Sequence, residues 1–424
     1  MSKDKEKQGP SDKGGNPKGG SKKSTIGDSS NCKDIEVLGK FDTASKKNRN
    51  GFTANVDGDG SYAPPEPCIS FVSSLNDELA LLILARVPRS DYQKLCLLNR
   101  RYRSLMRSGE LYPIRKSIGI KEPSVLILAS GEPHWWSYYP RSGARHNLPT
   151  LPSDPCFSSF DKESICAGTH LLVSGKEIGG SVIWRYELVL NQWFKGPLMI
   201  SPRCLFASAN CGSVAYVAGG IGSGSSAPGQ KPEILNSAEK YDHEKKCWNP
   251  LPWMTCRRKL CSGCYMDNKF YVIGGQNEKG ENLTCGEFYD LERNTWVRIT
   301  DMIKGAPSWS SRSPPLIAVA NDNLYSLEAS SNQLRVYLKK SNSWKDLGRA
   351  PVRADHSRGW GVAFKSLGDE LLVIGTTSDT YTCRGMTICT CKPDLESDSL
   401  EWIVLVSNGD QWSSFIFNCS VMMA

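Results

Sequence analysis

Residues 270–296 read FYVIGGQNEKGENLTCGEFYDLERNTW. An apolar run, Phe270-Tyr271-Val272-Ile273, ends in Gly274-Gly275; a polar loop follows; then Tyr289 leads, seven positions on, to Trp296. The apolar run reads as a buried strand closed by a tight turn, with glycine supplying positive φ. The tyrosine and tryptophan read as two further strands joined by the polar turn Glu292-Arg293-Asn294. The same order recurs in both directions along the chain. Tyr186 leads to Trp193, Tyr241 to Trp248 and Tyr337 to Trp344, with Tyr139 to His146 as a degenerate copy; successive copies lie 47, 55, 48 and 48 residues apart. The runs Leu171–Gly175, Ala215–Gly220, Leu324–Leu327 and Leu371–Gly375 head the other units. A period of about 50 residues with about four strands per unit is that of a β-propeller blade.

Counting units gives six blades. Val125–Ala129 and Tyr139–His146 supply the first blade without its innermost strand. The last runs from Leu371 to Trp402, with Leu395 at the tyrosine position. The chain ends in an extra apolar strand, Phe415–Met423, which resembles the strand that opens the other units. We expect it to complete the first blade and close the ring, which removes exposed sheet edges. The aromatic pairs are expected to fill space between blades.

The order Gly-Gly, Tyr, Trp resembles the kelch repeat over residues 120–424. Residues 1–67 differ sharply: they are rich in Lys, Gly, Ser, Asn and Asp, lack apolar periodicity, and are expected to be disordered. Residues 70–116 read as a compact helical module. Asn76 precedes Asp77 and Glu78 as an N-cap, and Leu79, Leu82 and Ile83 follow helical spacing. Pro88 ends that helix, and Ser90 or Asp91 can cap a second, in which Leu95, Leu98, Tyr102 and Leu105 continue the stripe. The order Leu75, Leu79, Ile83-Leu84, Val87-Pro88, Leu95, Leu98 and Arg100-Arg101-Tyr102 resembles an F-box, with Asn76 in place of a proline, Asn99 of a cysteine and Tyr102 of a tryptophan. An F-box before kelch repeats, with Arg107-Ser108-Gly109-Glu110 and Pro202-Arg203-Cys204-Leu205-Phe206, resembles the plant F-box/kelch-repeat family. That resemblance implies a substrate receptor whose F-box docks on a Skp-type adaptor, and through it a cullin, by Leu75, Leu79, Ile83, Leu84, Val87, Pro88, Leu95, Leu98 and Tyr102. The rival reading is an interaction scaffold on the same propeller without a ligase.

The net charge of +8 is uneven: residues 1–60 hold 12 Lys or Arg against 9 Asp or Glu, and residues 70–116 hold 9 against 4. The propeller is nearly neutral, which argues against a nucleic-acid partner. No run approaches membrane-spanning length and no apolar leader is evident, so an intracellular protein of nucleus or cytoplasm is expected, with its 16 cysteines reduced. Cys256-x4-Cys261-x2-Cys264 with Cys285 imitates a cluster-ligand spacing. These cysteines fall in strand positions that other blades build without them, and neighbouring strand residues point to opposite faces. Neither a metal, a cofactor nor a catalytic centre is expected.

One constellation suggests target binding. Arg203 lies 17 residues before Gly220, Arg258 17 before Gly275, Arg312 17 before Ala329, and Arg358 18 before Thr376. Equivalent positions fall near the start of each innermost strand, at one end of the propeller axis. Four arginines there would ring the channel mouth, where their planar forks suit carboxylates or phosphates of an acidic or phosphorylated target.

Overall fold

The computed structural model describes residues 71–72, 75–159, 161–223, 232–304, 313–328, 330–352, 360–376, 385–395, 400–407 and 415–424. The 1–67 segment expected to be disordered therefore lies outside the described residues. Residues 66–424 form one compact unit. Among the described residues are six four-stranded antiparallel sheets, the blades of a β-propeller. The innermost strands are Ile416–Met423 in blade 1, Glu163–Ala167 in blade 2 and Ala207–Cys211 in blade 3. Ser262–Met266, Leu316–Ala320 and Ala363–Leu367 hold that place in blades 4 to 6, and each of the six touches the next around a closed ring.

The hydrophobic core is not central but divided among the seams, with one buried cluster between each pair of adjacent blades. This is why the middle strands read as continuous apolar runs: both of their faces are covered. The repeat's aromatic pair belongs to these seams. Tyr241 and Trp248 face each other across neighbouring strands with ring centroids 5.3 Å apart, and both join the blade 2–blade 3 cluster. Tyr186–Trp193, Tyr289–Trp296 and Tyr337–Trp344 repeat the geometry. The spacing has a physical cause in the turn. Asn191, Asn294 and Asn342 take positive φ there and accept the tyrosine hydroxyl at 2.6–2.8 Å.

In blades 2 to 5 the tryptophan N–H reaches back to the connection before its blade: Trp193 donates to Pro149 O, Trp248 to Pro197 O, Trp296 to Pro252 O and Trp344 to Met302 O, at 2.7–3.0 Å. We expect Trp296→Phe to lower stability by about 1–2 kcal/mol in denaturant titration, since it keeps the ring but orphans the Pro252 carbonyl.

Strand Ile416–Met423 pairs antiparallel with Pro123–Ala129 along its length, so the C-terminus completes blade 1 as the spacing predicts. The last blade departs from the sequence reading. Trp402 faces Cys391, and Leu395 lies in the connection between their strands, so Cys391 and not Leu395 occupies the tyrosine's place. Blade 1 is also shifted: His146 pairs with Ser137, and Tyr139 with Ala144, although the two rings still meet at 5.3 Å. The Gly-Gly pairs are demanded by geometry. Gly220 has φ +95°, and a Cβ on it would lie 2.6 Å from the Cys204 carbonyl oxygen.

The helical module comprises α1 (Asp77–Leu84), a 3-10 turn (Arg89–Asp91) running into α2 (Tyr92–Leu95), α3 (Arg100–Ser108) and α4 (Leu111–Ser117). Asn76 caps α1 by accepting from Leu79 N at 2.8 Å. The second helix is not the continuous one expected. Neither Ser90 nor Asp91 provides the side-chain cap, and the chain turns at Cys96–Leu98. Asn99 then restarts it as α3 by accepting from Tyr102 N at 3.0 Å. Around Leu84, Ala85, Leu105 and Leu111 the module has its own small core.

Candidate functional site

The helical module sorts its apolar residues into two sets. Leu84 is buried in its core, with Val87, Leu95 and Tyr102 packed against it. Tyr102 donates its hydroxyl to Phe71 O at 2.6 Å and meets the Phe71 ring edge-on. These four hold the module together; Leu75 is half-buried. The other set faces outward. Leu79 and Ile83, one turn apart on α1, are each 49% exposed, and Leu97 and Leu98 in the turn after α2 are 79% and 64% exposed. Pro88 is exposed as well. A module of about 45 residues that leaves four large apolar side chains in water has a surface suited to another protein. Leu97 escaped the sequence reading because a continuous helix through Leu95, Leu98 and Tyr102 gave it no role; the sole available signal was the Asn99 cap that breaks that helix.

The arginine constellation resolves differently. Arg203 and Arg258 do stand near the start of their innermost strands, but their side chains are 0% exposed. Arg203 donates to Gly219 O, Ser237 O and Ser237 Oγ, and meets Glu239 at 2.5 Å. Arg258 donates to Gly274 O and Cys285 O and meets Glu287 at 2.6 Å. Burial pulls the Arg203 guanidinium below its ordinary pKa, against the Glu239 charge. At Arg258 burial acts the same way, but Cys261, Glu287 and Cys285 together leave it raised. Each glutamate also gathers the backbone of the incoming connection: Glu239 accepts from Ile200 N and Ser201 N, Glu287 from Thr255 N and Cys256 N. The expectation that these two arginines line a ligand-facing mouth is therefore corrected: their forks are consumed in fastening strands of one blade. Arg312 and Arg358 lie outside the described residues.

Two glutamates went unnoticed in the sequence although the signal was present. Glu239 and Glu287 each stand two residues before the repeat tyrosine, in the two blades that keep Gly-Gly. Blade 5 has Arg335 at that position, paired instead with Asp346 at 2.6 Å.

Antiparallel strands alternate the ends of the blades. Turns joining first to second and third to fourth strands open on one face; second-to-third loops and inter-blade connections open on the other. The helical module sits on the first of these. Gly109, at the C-cap of α3, lies so close to Val189 that no side chain fits between, and Lys116 reaches Glu244 at 3.9 Å. On the opposite face, the described connections expose Leu198, Ile200 and Trp253, the last 69%.

Two of the five scattered histidines meet in the blade 2–blade 3 seam, where the rings of His170 and His243 lie 4.0 Å apart. Burial, and the repulsion that would follow if both rings were protonated, push His170 down to about 3, and burial lowers His243, so both are neutral at neutral pH. His170 bonds Tyr241 and His243 bonds Thr169, which makes them seam residues. Cys261 and Cys264 enter different seam clusters, as alternation along a strand requires. No group of three or more His, Cys, Asp or Glu suited to a metal occurs among the described residues, and no helix there is long and apolar enough to cross a membrane.

Comparison with known proteins agrees with both halves. A family model for the F-box domain matches residues 72–113, and one for the Kelch motif matches residues 202–255 and 257–303. The chain is 50% identical over 362 residues to the F-box/kelch-repeat protein At3g27150 of Arabidopsis thaliana, covering 84% of each. It is 38% identical to the F-box/kelch-repeat protein At1g26930 of the same plant, covering 83% of each. To the F-box/kelch-repeat protein SKIP11, also from Arabidopsis thaliana, identity is 36%, covering 83% of this chain and 75% of that protein.

Proposed function

This chain belongs to the F-box/kelch-repeat family, and from that we propose that it is the substrate-recognition subunit of a Skp–cullin–F-box ubiquitin ligase. The observation that carries this reading is the outward set Leu79, Ile83, Leu97 and Leu98 on a module whose own core is already filled. An apolar surface of that kind gains from burial against an adaptor at roughly 25 cal/mol per Å². The closed propeller contributes proximity: it holds a target beside the ubiquitin-conjugating enzyme, in the nucleus or cytoplasm. The exposed Leu198, Ile200 and Trp253 on the face opposite the F-box support target binding there.

The test is co-purification of the full chain with a Skp-type adaptor and cullin. We expect a stoichiometric ternary complex. A folded chain that captures no adaptor sinks the receptor reading and leaves an interaction scaffold.

A further inference from the structure

F-box and propeller have separate cores, and the backbone between them is only the short segment Ile118–Glu122. The exposed Lys116–Glu244 pair adds little hold, and the packing of Tyr112 against the blade 1–blade 2 cluster is apolar and therefore undirected. A directional, buried set of contacts centres on Glu122. Glu122, 7% exposed, takes Arg115 Nη2 at 2.7 Å and the backbone N–H of Arg89 at 3.0 Å on a single carboxylate oxygen. The Arg89 side chain crosses into blade 1, donating to Ser124 Oγ at 3.0 Å. Arg115, 2% exposed, spends Nη1 on Ala85 O and Val87 O, the carbonyls that follow α1. Glu122 is meanwhile held by the last residue of the chain: its N–H donates to Ala424 O at 2.8 Å, and it accepts from Ala424 N at 3.2 Å. Through Arg115 the carboxylate thus joins the end of α1, the helix that carries Leu79 and Ile83, to the strand pair that closes the propeller.

We infer that Glu122 is a positioning residue: shared between Arg89 and Arg115, it fixes the angle between adaptor-docking helices and propeller, and so decides which lysines come within reach of ubiquitin transfer. The inference rests on the receptor reading. Buried ion pairs contribute little net stability but resist rearrangement, since separating them strands a charge away from water. Transfer between bound partners depends steeply on orientation. A joint that swivelled would present the same target over a wide arc; this one presents it at one angle.

The test compares the full wild-type chain with Glu122→Gln, which keeps the volume and removes the charge. Both are assembled with a Skp-type adaptor, cullin and ubiquitin-conjugating enzyme. Ubiquitin placed on the chain's own propeller lysines, mapped by mass spectrometry, serves as the reporter. We expect wild type to be modified in one sector of the propeller. Glu122→Gln should capture adaptor within about twofold of wild type, spread modification to lysines wild type leaves bare, and be cut by trypsin at Lys116 or Lys121 about tenfold faster. Glu122→Asp retains the charge with a shorter reach and should fall between them, which keeps the comparison readable should the glutamine variant fold poorly. An unchanged modification pattern and cleavage rate in Glu122→Gln overturns the inference. So does loss of adaptor capture in both variants, which would make the carboxylate a support of the F-box itself. A wild-type chain that captures no adaptor overturns the receptor reading and the transfer half of this inference with it, while the cleavage comparison still decides whether Glu122 holds the angle.

Discussion

Replacing Leu79 and Ile83 together with aspartate should weaken adaptor capture by about 100-fold or more, while the chain stays folded with a melting temperature only a few degrees lower. Each side chain is half in water already, so the folded chain loses little when they go. Docking would have buried the remainder of both, worth about 1 kcal/mol or more apiece, and would now have to desolvate two carboxylates. Together these exceed the ~2.7 kcal/mol that separates a hundredfold in affinity. The cap at Asn76 and the core residues Ala80 and Leu84 stay in place, so helix and module persist. Leu84→Ala is the contrasting control: it removes a buried side chain, should cost about 2–5 kcal/mol, and should impair capture only as the module unfolds. Binding by the double aspartate variant, measured by calorimetry against purified adaptor, at wild-type strength would place the docking surface elsewhere on the module.

The second large effect concerns the propeller. Arg258→Met should destabilise by about 3–5 kcal/mol in denaturant titration, because it strands the fully buried Glu287 carboxylate. Glu287 keeps its bonds from Thr255 and Cys256, so the blade is weakened and not erased. Arg258→Lys retains the charge but cannot reach Gly274 O, Cys285 O and Glu287 at once, and should recover only part of the loss. A double-mutant cycle with Glu287→Gln should give a coupling of about 2 kcal/mol or more. Coupling near zero would mean the pair is incidental. Because the guanidinium is out of reach of solvent, target binding by whatever fraction remains folded should be unaffected. A loss of target affinity with stability intact would return Arg258 to the ligand-facing role its position first suggested.

The architecture was legible in the sequence because it is encoded at short range. Seven residues from tyrosine to tryptophan are a strand, a tight turn and a strand, and the turn allows one register, in which the two rings face each other. The count of units, the missing innermost strand of the first and the surplus strand at the end then left one way to close the ring. The misplacement of Leu395 marks the limit of that code: with a longer connection the register passes to pairing, and Trp402 finds Cys391.

What the sequence could not determine is where a polar side chain spends its hydrogen bonds. Arg203 and Arg258 have the axial level their spacing assigns, but a position along a strand does not say whether the guanidinium turns to the channel or into the blade. Their partners, Glu239 and Glu287, stand 36 and 29 residues further along and become neighbours only when the third strand folds beside the second. The hold of Glu122 on Arg89 and Arg115 is decided in the same way, together with the outward turn of Leu97 and Leu98. Local pattern dictates which strands and helices form; burial makes an unpaired charge so costly that only the assembled fold can settle which groups meet.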